Sequence, residues 1–197
     1  MNFSELKSEV HLLTNRPDLF AETESAIKAA TLKAHKVDFF SKDLYSTGVA
    51  FEDPGFRQSL DYVLLIPNFR AFKSFRLAEN ETDDTGDFID IITIDEILDA
   101  YGRNRTNIGY VAGRVLELRA AVEFQFGLLT AYVSPIVTPE EDYSSWVAEQ
   151  FPFTIIYEAA RVIFTSIGQA DKARLYRDMR IEEYKELGTS ALTDVGS

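Results

Sequence analysis

The sequence predicts an α+β protein, with terminal α-helices forming a helical bundle and an antiparallel β region inserted between them. Three observations predict this class. Apolar residues follow helical spacing at both ends of the chain. Short β-branched or aromatic runs alternate with turn residues over residues 37–137. Helix start and stop signals fall where one pattern gives way to the other. With 197 residues, 46% of them hydrophobic and 13% aromatic, the chain has enough apolar material for one sizeable core.

The first helix is capped by Asn2, with Glu5 in the reciprocal position of a capping box, and Phe3, Leu6, Val10 and Leu13 give it an apolar face. Asn15-Arg16-Pro17-Asp18 is a stop-and-restart signal. A second helix then runs to about His35, with Leu19, Thr23, Ile27, Ala30 and Ala34 as its buried stripe, so that residues 1–36 form a helix hairpin. The β-rich insertion covers 37–143. Its strands are expected at Asp43–Val49, Ser59–Ile66, Ala71–Leu77, Phe88–Ile92, Ile108–Ala112, Val115–Arg119 and Leu129–Val137. Turns are expected at Asp53-Pro54-Gly55, Pro67-Asn68 and Asn80–Asp87, and Thr93 with Glu96 caps a short helix. Residues 144–187 return to helical period and complete the bundle. Pro152 opens a long helix with Ile156, Ala159, Ala160, Ile163 and Ile167 inward, and Gly168 breaks it. The last helix buries Ala173, Tyr176, Met179, Ile181 and Tyr184, with Arg174 and Asp178 one turn apart. Residues 188–197 are small and polar, and read as a flexible tail.

The chemistry legible in the chain is sparse. The chain has no Cys, which removes disulfides, thiolate metal sites and cysteine catalysis. The two histidines, His11 and His35, lie in predicted helices without a Ser-His-Asp or metal-ligand arrangement, and read as structural or exposed. Glu81–Asp87 resembles a calcium loop in composition, but Ile92 stands where a bidentate Glu is needed, so it reads as a solvated acidic loop. Glu140-Glu141 and Glu182-Glu183 read as surface acids rather than a glycosidase pair. Phe69–Arg76 interleaves aromatic and basic residues, a pattern shared by single-strand binding platforms and by ordinary half-buried strands. The strand reading is favoured by a net charge of −12, from 32 acids against 20 bases. Trp146 either pins the loop before the long helix to the core or anchors a partner, and the core reading is favoured. No catalytic, cofactor or metal site is expected. The apolar runs are too short to span a bilayer and the N-terminus does not read as a signal peptide.

In order and spacing, several of these features resemble the head–tail adaptor (connector) proteins of tailed bacteriophages, the family that includes tail tubular protein A. The resemblance rests on the Ala-rich second helix followed by Asp38–Leu44, on Ile66–Arg70 and Lys73–Arg76, and on the order Tyr132, Pro135, Trp146, Phe151-Pro152, Ala159-Ala160 and Gly168. The acidic loop Asn80–Asp87 and the polar loop Gly102–Asn107 have no counterpart in that pattern.

The resemblance implies a structural virion protein, made in the host cytoplasm and resident at the head–tail junction. It would form a homo-oligomeric ring of about 12 copies under the portal protein. DNA would pass through the ring's channel without specific binding, and tail tube, nozzle or fibre proteins would dock on its far side. Portal contact is expected from Gly188, Thr189, Ser190, Ala191, Leu192, Thr193, Asp194 and Val195. Ring or tail contact is expected from Phe69, Arg70, Phe72, Lys73, Phe75, Arg76, Asp83, Asp84 and Asp87. Two alternatives stand beside this reading: a tail completion or terminator ring, and a virion-associated peptidoglycan hydrolase.

Overall fold

A computed structural model describes residues 1–80, 86–98 and 102–193. The chain divides into two compact units, Leu44–Val133 and the remainder on either side of it.

In the helical unit, α1 (Phe3–Thr14) begins at the expected capping box. The Asn2 side chain accepts from the Glu5 amide and the Glu5 carboxylate accepts from the Asn2 amide, each at 2.9 Å. Two of the helix's orphan donors are thereby satisfied. Asn15 closes α1 in the left-handed region at φ 52. Helix α2 (Phe20–His35) follows. After the β unit come α4 (Trp146–Gln150, capped by Ser145), α5 (Pro152–Ser166) and α6 (Ala170–Thr193). Between α5 and α6, Gly168 adopts φ 74, a conformation in which a side chain would be strained. Helix α5 packs against α1, α2 and α6. The core they share contains Phe3, Leu6 and Val10 from α1, Ile27 and Ala30 from α2, and Ile155, Ile156, Ala159 and Ile163 from α5.

The β unit has five strands: β1 (Leu44–Asp61), β2 (Phe69–Ala78), β3 (Phe88–Ile92), β4 (Ile108–Ala112) and β5 (Val115–Val133). β5 is the organising strand. It pairs with β1 along one edge, and on its other pairings it meets β4 through residues 115–119 and β2 through residues 126–133. β3 bridges β2 to β4, so β5, β2, β3 and β4 form a closed four-stranded barrel with β1 as a further strand. A short helix, α3 (Tyr62–Leu65), follows β1; the Asp61 carboxylate caps it by accepting from the amides of Val63 and Leu64.

This architecture corrects the expected one while remaining α+β. The helices do not form a terminal bundle flanking an inserted antiparallel region. α3 lies inside the β unit, the strands close on themselves, and β3 runs parallel to β4. Closure removes the open edges that a flat sheet of β2, β3, β4 and β5 would leave, while β1 keeps one unpaired side among the described strands. The expected turn at Asp53-Pro54-Gly55 is instead an irregularity within one long strand. From Ala50 to Gly55 the chain takes five steps against two on β5, then from Gly55 to Arg57 two against five. The two shifts cancel, so the pairs Leu44–Tyr132 and Asp61–Val115 keep one register. Pro54 is tolerated because β1 pairs only with β5 among the described strands, so its missing N–H need not break a ladder bond. The expected separate strands at 115–119 and 129–137 are likewise one strand, β5, which ends at Val133. Finally, the supposed tail from Gly188 is helical as far as Thr193, continuing α6.

Candidate functional site

Helix α5 carries one acid in an otherwise apolar face, Glu158, and the fold buries it to 3% exposure. An isolated carboxylate in that position would be costly. Three cations from three helices surround it. Lys33 of α2 donates to Oε1 at 2.7 Å. Arg161 of α5 donates through Nε to Oε2 at 2.9 Å and through Nη2 to Oε1 at 3.0 Å, a bidentate fork. Arg180 of α6 donates through Nη1 to Oε2 at 2.9 Å. Burial is the largest influence on Glu158 and pushes its pKa up. The hydrogen bonds from Arg161 and Lys33 and the charges of Arg161 and Arg180 together outweigh it, bringing the carboxyl down to about 2.

This hub is the main polar tie between α6 and the rest of its unit. The Arg180 guanidinium lies 5.1 Å from the Tyr184 ring centroid, and Tyr176 stacks on Phe164 at 5.3 Å. Burial, and then the charge of Glu158, push the Tyr184 hydroxyl up to about 12. That hydroxyl is buried without a hydrogen-bond partner among the described residues. Ile181, expected inward, is 39% exposed, and Leu187 is the one α6 side chain described as fully buried. Arg174 is not bonded to Asp178; Asp178 is held by Arg177 at 3.1 Å.

A second polar tie fixes the exit from α2. Asp43 Oδ1 accepts from Trp146 Nε1 at 2.7 Å and lies 2.8 Å from His35 Nδ1, with His35 and Asp43 both buried. Phe40 packs edge-on against Trp146 at 4.9 Å. Trp146 therefore serves as the anchor the sequence suggested, and His35 has a structural partner.

The residues expected at a ring or tail interface divide. Phe69, Arg70, Phe72, Lys73, Phe75 and Arg76 all lie on β2. Phe75 is fully buried in the barrel core, which withdraws it from any surface role. Phe69 and Phe72 are partly buried and cluster with Tyr62, with centroids 4.5–4.9 Å apart. Strict alternation would turn Phe72 away from Phe69 and Phe75. Two register shifts, between Phe69 and Ala71 and between Phe72 and Ser74, bring all three rings to the core. Lys73 and Arg76 line an open groove of about 890 Å³ with Phe88 and Asp90, and the Arg76 guanidinium lies 4.0 Å from the Phe88 ring. Asp87 is exposed. Asp83 and Asp84, together with most of the calcium-like segment, fall outside the described residues. Of the expected portal-binding residues, Gly188 to Thr193 belong to α6, while Asp194 and Val195 fall outside the described residues.

Among the described residues, no group of three or more His, Asp or Glu side chains is placed to hold a metal ion. No described helix is long and apolar enough to cross a membrane. The Glu158 hub was not foreseen. Its one signal in the sequence was an acid placed three residues before Arg161 within the apolar run from Phe153 to Phe164. Compared with known proteins, the chain matches no family model and no curated protein.

Proposed function

We propose that the chain is a structural virion protein, a head-to-tail adaptor that assembles as a ring beneath the portal, continues the DNA channel and receives the tail proteins. The observation that supports this best is the amount of large apolar surface left exposed on each unit. Leu12 is 73% exposed, Phe20 52% and Leu175 56% in the helical unit; Leu64 is 76% exposed, Phe56 52% and Val122 56% in the β unit. Exposed apolar groups on both units suit a subunit with several protein neighbours. The sparse chemistry of the sequence points the same way. In this reading α6 is the portal-facing element and its end, from Gly188 onward, makes the contact. The β2 groove at Lys73 and Arg76 serves a ring neighbour or the tail.

The test is binding to the portal protein of the phage that encodes the chain, with the full chain and with a chain ending at Leu187. The adaptor reading expects the full chain to co-sediment with portal and the shortened chain to lose at least about tenfold in affinity. Absence of portal binding by the full chain contradicts the reading. Equal binding by the shortened chain removes the α6 end from it.

A further inference from the structure

The first half of α6 carries charge in an unexpected place. Residues 170–181 hold Lys172, Arg174, Arg177 and Arg180 against two acids, Asp171 and Asp178, in a chain of net charge −12. Cations near a helix N-terminus oppose the macrodipole. Asp171 meets the preference for acids in the first turn, but Lys172 and Arg174 beside it do not, and such a local departure marks a candidate for function.

These side chains are also concentrated in space. Arg161, Arg174 and Arg177 line one open pocket of about 300 Å³, with Thr165, Gly168 and Ala173 completing its wall. Arg161 is shared with the Glu158 hub, where three cations surround one carboxylate, so the hub adds to the positive potential of the pocket instead of cancelling it. Among the described residues Arg177 is engaged only by its neighbour Asp178, an exposed contact that is readily exchanged. Arg174 is exposed and makes no ion pair among the described residues.

We infer that this pocket binds a carboxylate-bearing segment of a partner protein. Guanidinium groups match a carboxylate with paired hydrogen bonds. The Arg161 fork is taken by Glu158, so Arg174 and Arg177 supply the contacts and suit one acidic side chain, with Arg161 adding charge behind them. A nucleic-acid backbone is the poorer match, because it needs a continued basic stripe. Here Glu182, Glu183 and Glu186 follow along α6. The inference does not rest on the adaptor reading; any partner with an exposed acidic segment satisfies it.

The experiment titrates the full chain with a capped Asp/Glu-rich peptide. The same peptide with Asn and Gln, inorganic phosphate and a short single-stranded DNA serve as comparisons. The variants are Arg174→Gln with Arg177→Gln, both at exposed positions, and Lys185→Gln as a control at the far half of the helix, with melting curves to verify folding. The acidic peptide should bind, weaken with added salt, and lose at least about tenfold in affinity in the double variant but not in Lys185→Gln. No binding of the acidic peptide overturns the inference, as does unchanged affinity in the folded double variant. Equal or tighter binding of phosphate, DNA or the neutral peptide also overturns it.

Discussion

Helices α5 and α6 follow one another across Gly168 but are held by different physics. α5 buries Ile155, Ile156, Ala159, Ala160, Ile163 and Phe164, and is fixed by the removal of apolar surface from water. α6 buries only Leu187 fully among its described side chains. It is secured by aromatic stacking at Tyr176 and by the grip of Arg180 on Glu158. The apolar face of α5 holds its one acid, Glu158, only with three cations around it, whereas a helix tied down at a few points can display charge along most of its length. The difference makes α5 a scaffold element and leaves α6 available for contact.

The contrast is broken most severely at the hub. Glu158→Gln leaves three cations around a neutral amide, two of them largely buried, and should cost on the order of 3–5 kcal/mol in urea unfolding. The same group sets a pH dependence. Its carboxyl is lowered from 4.5 to about 2 in the folded chain, so its contribution is fully present above about pH 4.5. That contribution, on the order of 3 kcal/mol, is lost as pH falls from there through 2. The Glu158→Gln chain should lack this part of the acid sensitivity, and an unchanged pH profile would show that the hub is not its source.

A change on each helix sharpens the comparison. Ile156→Ala in α5 should cost about 2–5 kcal/mol through lost burial and a cavity. The exposed Leu175→Ala in α6 should fall within about 0.5 kcal/mol of the parent chain. Comparable losses at the two positions would contradict the distinction. Smaller again than the core effect, Asn2→Ala removes the α1 cap and should cost about 1 kcal/mol.

What the sequence made legible was local. Asn2 with Glu5, Thr93 with Glu96, Pro152 at the start of α5 and Gly168 at its end all act within a few residues, and each holds in the structure. The barrel was not legible, because closure depends on β5 meeting β4 and β2 along different parts of its length. Pro54 and Gly55 read as a turn because their local chemistry says so, and only the pairing with β5 carries the strand through them. The aromatic spacing 69, 72, 75 fits no regular strand; the two bulges that reconcile it are set by the partner strand. Glu158 escaped notice for a related reason: two of its three partners, Lys33 and Arg180, come from other helices.

The proposed ring assembly is tested most directly by native mass spectrometry of the purified chain, alone and mixed with the portal protein that the proposal gives it as partner. The account predicts that portal complexes acquire a ring of about 12 copies. A chain whose mass is unaffected by portal contradicts it.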